Sequence, residues 1–465
     1  NLASPSVQKT INLAGGEAYV EGPKLEMASL ILTSMVKDQF YRSADEALGR
    51  LSVLVAADPL FAAKAAVYAR NEYGLRSISH ATAGEVARYA SGEKWKRPFF
   101  RAVVRRPDDV TEILGYFRKR YGKKLPKAMQ RGLADALTGF SAYQLAKYRG
   151  EGRGIKLVDA ANLLHPKPIP ERAEAWTALM KDTLVSTETW EAKLSAAGPD
   201  AEAKTEAWKD LLEAGTLGYM ALLKNLRNIL QQAPEMIPLA CSQLVDEARI
   251  RKSLVLPFRF FTAARELSAI PGSPPVLAAL SAAADTALSN VPPLPGRTCV
   301  LLDDSGSMRG DPFALATPFA VALVKALGAD LILFNTQARY ANLDPSASVF
   351  AGVTSLVVQF DGGGTDFHSP FAVMKVPYDR LIWLSDMQAW VGYYAPIAEL
   401  AAYRKEHGVN TRVFSFDLQG LGTLQFPEQG VYALAGLSDR VFDIMGRLEE
   451  DRQALVHTIE AVSFV

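Results

Sequence analysis

The 465-residue chain carries 51 Lys and Arg against 50 Asp and Glu, with 49% hydrophobic and 22% charged residues. That balance excludes wholesale disorder, and at roughly 150 residues per domain the length calls for two or three cores. No apolar run reaches the roughly 18 residues of a membrane helix, and the N-terminus lacks a basic-then-apolar leader, so the expectation is a cytoplasmic chain with no membrane partner.

Residues 23–290 read as helix after helix. Apolar periodicity predicts helices over 25–36, 44–55 and 59–73, followed by further Ala- and Leu-rich segments broken by Gly and Pro. Ser43 with Glu46 forms a capping box, and Asp58 before Pro59 pairs an N-cap with a proline at the first helical position. Short helices in series, without long heptads, suggest stacked helix pairs as in an α-solenoid, although no strict internal period is visible. Of the two cysteines, Cys241 and Cys299, neither has a His or Cys neighbour at metal-ligand spacing, and both are expected to be buried thiols.

Within this part, residues 94–131 hold 13 Lys and Arg against Asp108, Asp109 and Glu112, a net +10 over 38 residues. Trp95, Phe99, Phe100, Tyr116, Phe117 and Tyr121 are interleaved, a composition suited to phosphate contacts with base stacking on single strands. Basic helices are often simply solvated. The wider distribution favours the polyanion, because residues 296–465 carry 12 basic and 19 acidic side chains, leaving 39 against 31 in the remainder.

Residues 291–296 (VPPLPG) break any helix and read as a linker, dividing the chain into 1–295 and 296–465. Beyond it, strands are predicted at 298–302, 330–334, 380–384, 411–416 and 430–434, and helices near 312–327, 397–407 and 439–452, the signature of a doubly wound, mostly parallel α/β sheet.

Asp303, Ser305 and Ser307 follow the first of these strands as Asp-x-Ser-x-Ser, where such a sheet presents its site. One carboxylate and two hydroxyls cannot fill a Ca²⁺ cage but can form part of an octahedral shell around Mg²⁺ or Mn²⁺. Thr365, in Asp361-Gly362-Gly363-Gly364-Thr365-Asp366, and Asp386, closing the strand over 380–384, supply a further hydroxyl and carboxylate. The plainer alternative is that Asp303 and the serines cap the next helix. Asp304 and Asp366 adjoin the cluster, but hydroxyls outnumber the carboxylates that a two-metal nuclease needs, and His368 reads as a helix-start residue. With no nucleophile motif and no phosphate loop before a Lys-Ser/Thr, the chain is read as not an enzyme.

The five oxygen ligands resemble a metal-ion-dependent adhesion site, and the segment that holds them is similar to a von Willebrand factor A domain. That resemblance implies a divalent cation with one position open to an acidic protein ligand. The segments 135–148 (DALTGFSAYQLAKY), 157–168 (LVDAANLLHPKP) and 220–228 (MALLKNLRN) resemble the TROVE module of Ro ribonucleoproteins, whose two-part arrangement matches nearly the whole chain. The resemblance is to a bacterial Ro ortholog. It implies an all-α HEAT-like helical-repeat ring closed by the A-like domain, with the N-terminal residues 1–22 or the segment after Arg452 crossing back to clamp the two.

The same resemblance implies a monomer that binds small noncoding Y RNA on its outer surface and single-stranded 3′ ends of misfolded RNA through a central hole. RNA quality control or processing with an exoribonuclease such as polynucleotide phosphorylase is implied with it. It carries RNA contact to Lys147 and His165, and places Lys127 and Arg131 on the helix facing the hole. Lys119, Arg120, Lys123 and Lys124 join them as basic candidates, with Arg149 and Arg153 beside the Lys-Tyr segment, where Glu151 and the glycines depart from the family's more basic pattern. On its own chemistry His165 could stack on a base, donate to a phosphate, or cap its helix before Pro166. A reading of a different class is a helical-repeat interaction scaffold whose A-like domain grips an acidic protein through Mg²⁺, the basic face serving solubility.

Overall fold

The computed structural model describes residues 9–12, 14–20, 22–33, 44–89, 92–148, 154–181, 183–184, 190–391, 396–419, 423–426, 431–435, 442, 445 and 454–464. They form two compact units. One comprises Asn1–Val20, Lys193–Leu418 and Thr423–Arg452; the other comprises Glu21–Ala192, Gln419–Gly422 and Gln453–Val465.

The second unit is helical. Asp58 caps Pro59–Glu72 as expected, its carboxylate accepting from the Phe61 N–H at 3.0 Å. That helix buries Phe61 and Val67 together with Ala62, Ala63, Ala65, Ala66 and Ala69, and the five alanines let neighbours approach closely. It packs on Ser77–Tyr89, which packs on Pro107–Tyr121; Lys96–Ala102 pairs with Lys127–Thr138; and Leu157–Leu164 lies against both Pro107–Tyr121 and Lys127–Thr138. Glycines set two of these spacings, since a Cβ at Gly84 would stand 2.3 Å from the Tyr116 ring and one at Gly132 would stand 2.5 Å from the Arg97 carbonyl. The C-terminal helix Ala454–Glu460 joins this unit, packing on Pro59–Glu72, with Glu460 ion-paired to Lys24 and its carbonyl accepting from Lys64. The expected capping residue Ser43 lies outside the described residues.

A buried charge cluster locks the start of Pro107–Tyr121. Asp109 is fully buried, meets Arg70 at 3.0 Å, Arg76 at 3.1 Å and His80 at 3.0 Å, and accepts the backbone N–H groups of Arg105 and Arg106. Burial alone would raise its carboxyl, but His80, Arg70 and the Arg105 N–H hold it well below the usual range. Asp108 bridges Arg76 and Arg106, both at 2.8 Å. Further along the helix, buried Glu85 accepts from the Tyr116 and Tyr121 hydroxyls and pairs with Arg120 at 2.9 Å.

In the first unit, helices from Ala201–Glu213 to Pro274–Thr286 continue the series and pack on an α/β fold, with Phe258 against Phe319 and Phe261 against Phe350. The strands are β1 (Lys9–Ile11), β2 (Glu17–Val20), β3 (Thr298–Asp303), β4 (Asp330–Phe334), β5 (Ala338–Tyr340), β6 (Arg380–Ser385), β7 (Arg412–Asp417), β8 (Thr423–Leu424) and β9 (Val431–Ala435). One sheet has the order β5-β4-β3-β6-β7-β9, parallel except for the edge strand β5; the other, β1-β2-β8, is antiparallel. The proline-rich segment 291–296 is fastened within this unit: Arg380 donates to the Pro295 carbonyl at 3.3 Å, and the Arg297 N–H donates to Asp379 at 2.7 Å. The helix expected over 439–452 lies almost wholly outside the described residues.

Asp109→Asn leaves two arginines and a histidine facing a neutral amide, so urea unfolding is expected to show a loss of about 3–5 kcal/mol. Because the folded carboxyl is depressed, that contribution is present above the unfolded pKa of about 3.9 and fades as the pH falls below it. A variant as stable as the parent at pH 7 would contradict the assignment.

Candidate functional site

Two places carry chemistry, one in each unit. The first lies at the carboxyl ends of β3 and β6, neighbouring parallel strands from which the chain turns away in opposite directions, the crevice where an open α/β sheet binds its ligand. Register sets Leu302 beside Leu384, which brings Asp303 and the Ser385-Asp386 pair together. The Asp303 carboxylate accepts from the Ser305 N–H at 2.9 Å and from the Ser385 hydroxyl at 2.5 Å. Ser305 and Ser307 hydroxyls stand 3.4 Å apart, and Ser307 hydrogen-bonds Asp386.

Thr365 is held by backbone bonds: the Gly306 N–H donates to the Gly363 carbonyl at 2.9 Å, and the Trp390 and Val391 N–H groups donate to the Thr365 carbonyl at 3.1 and 3.2 Å. Gly362 and Gly363 have φ of 88° and 95°, backbone that an L side chain would strain, and a Cβ on Gly364 would stand 2.7 Å from the Trp390 ring. All five expected ligands are buried.

Burial, and then the facing Asp386, push the Asp303 carboxyl up to about 8. Burial raises Asp386 to about 6 against hydrogen bonds from Ser307 and the Gln388 N–H. Two buried carboxyls held away from their charged forms, flanked by hydroxyls, fit a hard divalent cation, which would favour both carboxylates. Asp304 points elsewhere: it pairs with Arg339 at 2.6 Å, accepts from the Asp361 N–H, and keeps one buried carboxylate oxygen without a hydrogen bond. Sequence reasoning missed Ser385 as the hydroxyl on Asp303, and Met387, whose positive φ of 59° follows Asp386 directly. Arg339, on the short edge strand β5, bore no sequence signal of its role.

The second place is the solvent face of Pro107–Tyr121 and its neighbours. Lys119, Lys123, Lys124, Lys127, Arg131 and His165 are exposed, and the five cations have no hydrogen bond or ion pair among the described residues. Arg120 is exposed as well but is engaged by the buried Glu85 at 2.9 Å. Lys147 is half-buried, its ammonium 5.7 Å from the Tyr143 ring and 5.5 Å from that of Tyr148, and Arg106 covers Tyr148 at 4.3 Å. His165 ends Leu157–Leu164 in the left-handed conformation, φ 49°, its N–H donating to the Ala161 carbonyl, so the backbone caps the helix while the side chain is exposed. Arg149 and Arg153 lie outside the described residues.

The aromatic expectation is corrected here. Phe99, Phe100 and Phe117 are core, Trp95 packs on Phe99 and Phe464, and Tyr116 and Tyr121 are tied to Glu85, so this set is engaged in packing and offers no row of open ring faces. Lys96 is buried too, donating to the Ala87 carbonyl at 3.0 Å, and burial lowers its ammonium to about 8. A cleft of about 510 Å³ opens on the solvent face, lined by Thr111, Glu112, Gly115, Arg118, Lys119, Lys123, Gly154 and Ile155.

A helical-repeat module joined in sequence to a doubly wound von Willebrand A-like fold defines the class. The family model for the TROVE domain matches residues 28–182 and 171–271, more than half of the chain, which therefore belongs to the TROVE domain family. The crystal structure of the Deinococcus radiodurans Ro (RSR) protein superimposes with a TM-score of 0.63 at 16% identity, covering 94% of this chain and 100% of that one, a likeness of fold. Telomerase protein component 1 of Mus musculus is 22% identical over 338 residues, 53% of this chain and 13% of that protein. Its Rattus norvegicus counterpart is 22% identical over 323 residues, 51% of this chain and 12% of that protein. That membership supports an RNA-binding protein of ribonucleoprotein type. No helix among the described residues is long and apolar enough to cross a membrane.

Because Asp303 and Asp386 are raised above the unfolded value of about 3.9, the neutral forms favour folding at low pH, and that advantage is lost as the pH rises through about 6 and about 8. In EDTA the melting temperature should therefore fall between about pH 4 and about pH 8, and Asp386→Asn should flatten the fall. A flat profile for the parent chain would contradict this electrostatic picture.

Proposed function

We propose that the chain binds small noncoding RNA of the Y type on the basic helical face and captures single-stranded 3′ ends of misfolded RNA, presenting them to an exoribonuclease such as polynucleotide phosphorylase. The observation that carries this reading is the group of exposed cations that pair with nothing among the described residues, Lys119, Lys123, Lys124, Lys127 and Arg131, on and after helices against which the His165 helix packs. Phosphates supply most of the affinity to such a face. Lys147 and His165 are assigned to the structured RNA, Lys127 and Arg131 to the single strand. Binding without turnover, as a cytoplasmic monomer, completes the reading.

Asp303, Ser305, Ser307, Thr365 and Asp386 are assigned to a divalent cation, Mg²⁺ or Mn²⁺, which supplies a Lewis-acidic position for an acidic group of a protein partner. The buried, raised carboxyl pair supports that assignment. Ser385 orients Asp303 and Ser307 orients Asp386, so both carboxylates are positioned from this chain's own hydroxyls.

A gel-shift series with a Y-like stem tests the reading and separates it from the scaffold alternative. Lys147→Ala with His165→Ala should weaken binding roughly tenfold, about 1.4 kcal/mol, and affinity should fall steeply with salt. EDTA should leave RNA binding intact. RNA binding abolished by chelation, or insensitive to both salt and the double substitution, would refute it.

A further inference from the structure

Gly115 sits in the middle of Pro107–Tyr121, where glycine costs about 1 kcal/mol relative to alanine. At Gly84 and Gly132 close helix packing accounts for the missing side chain; at Gly115 a Cβ would meet nothing within 4 Å. The open space above it is the cleft, whose lining brings in Arg118 and Lys119 from the same helix and Lys123 from the turn that follows.

None of these three cations has a hydrogen bond or ion pair among the described residues. Cations in a last helical turn complement the helix dipole, which accounts for Arg118 and Lys119 but not for Lys123 beyond the Gly122 cap or for the empty floor. Among the described lining residues Glu112 is the single carboxylate, against three cations, a balance that suits a phosphate.

We propose that this cleft is a nucleotide pocket of the RNA site, taking one phosphate of a single-stranded ribonucleotide segment on Arg118, Lys119 and Lys123, with the attached sugar and base seated over Gly115. Its volume of about 510 Å³ falls in the range of roughly 300–1,000 Å³ that small-molecule sites occupy. The proposal rests on the RNA-binding reading and adds to it a defined seat in which the absent side chain is the specific element.

A Cβ at Gly115 meets nothing within 4 Å, so Gly115→Leu projects into the seat, and removing a mid-helix glycine favours the fold. The full-length variant should melt no lower than the parent yet bind a fluorescent single-stranded oligoribonucleotide at least about tenfold more weakly, a loss of about 1.4 kcal/mol. Lys119→Ala with Lys123→Ala should lower the slope of log affinity against log salt by about 0.7 for each phosphate no longer neutralised. If both variants bind as the parent does while Lys147→Ala with His165→Ala is impaired, the pocket is refuted and the RNA reading stands. A parent chain that binds neither the oligoribonucleotide nor a Y-like stem refutes both.

Discussion

The helical unit depends on the burial of Asp109 among Arg70, Arg76 and His80. Isolated, such a carboxylate would be costly to bury; surrounded by donors, it fixes the first turn of Pro107–Tyr121 against two preceding helices. Glu85 fastens the other end through Tyr116, Tyr121 and Arg120. With one side pinned at both ends, the helix turns Glu112, Gly115, Arg118 and Lys119 toward the cleft. Internal charge pairing engages Arg70, Arg76, Arg106 and Arg120, and the cations left over on the same helices make up the face assigned to RNA.

The α/β unit uses charge in the opposite sense. Asp303 and Asp386 face each other with hydroxyls, their carboxyls accepting from Ser305, Ser307, Ser385 and the Gln388 N–H. The nearby Arg339 is engaged by Asp304. The helical unit sets arginines around its buried Asp109, whereas the α/β unit sets hydroxyls around the facing Asp303 and Asp386. The two chemistries sit in different units, so the proposed RNA and cation functions are separable by substitution.

Much of this is legible from the residues alone. Apolar runs ending in Asp303 and Asp386 mark adjacent strands because a buried parallel strand needs uninterrupted Val, Leu and Ile, and the pattern delimits Asp330–Phe334 and Ile397–His407 to the residue. The short strands β1, β2, β5 and β8 escape it, since two to four residues give no periodicity and their pairing is set by distant chain. Composition also overstates the basic stretch: charge counts along a sequence cannot tell Lys96, buried against a carbonyl, from Lys119, which is exposed, nor a core Phe99 from a stacking surface. The cleft is invisible for the same reason, as its defining residue is a glycine whose neighbours are fixed only by tertiary packing.

Central to this picture is that RNA lies on the helical face and not on the metal site. Ultraviolet crosslinking of the full chain to its co-purifying RNA, followed by peptide mapping, tests that placement directly. Crosslinks concentrated in the peptides that span residues 107–131, 142–148 and 157–165 are the predicted result. Crosslinks confined to the strands and loops around Asp303, Thr365 and Asp386 would contradict it.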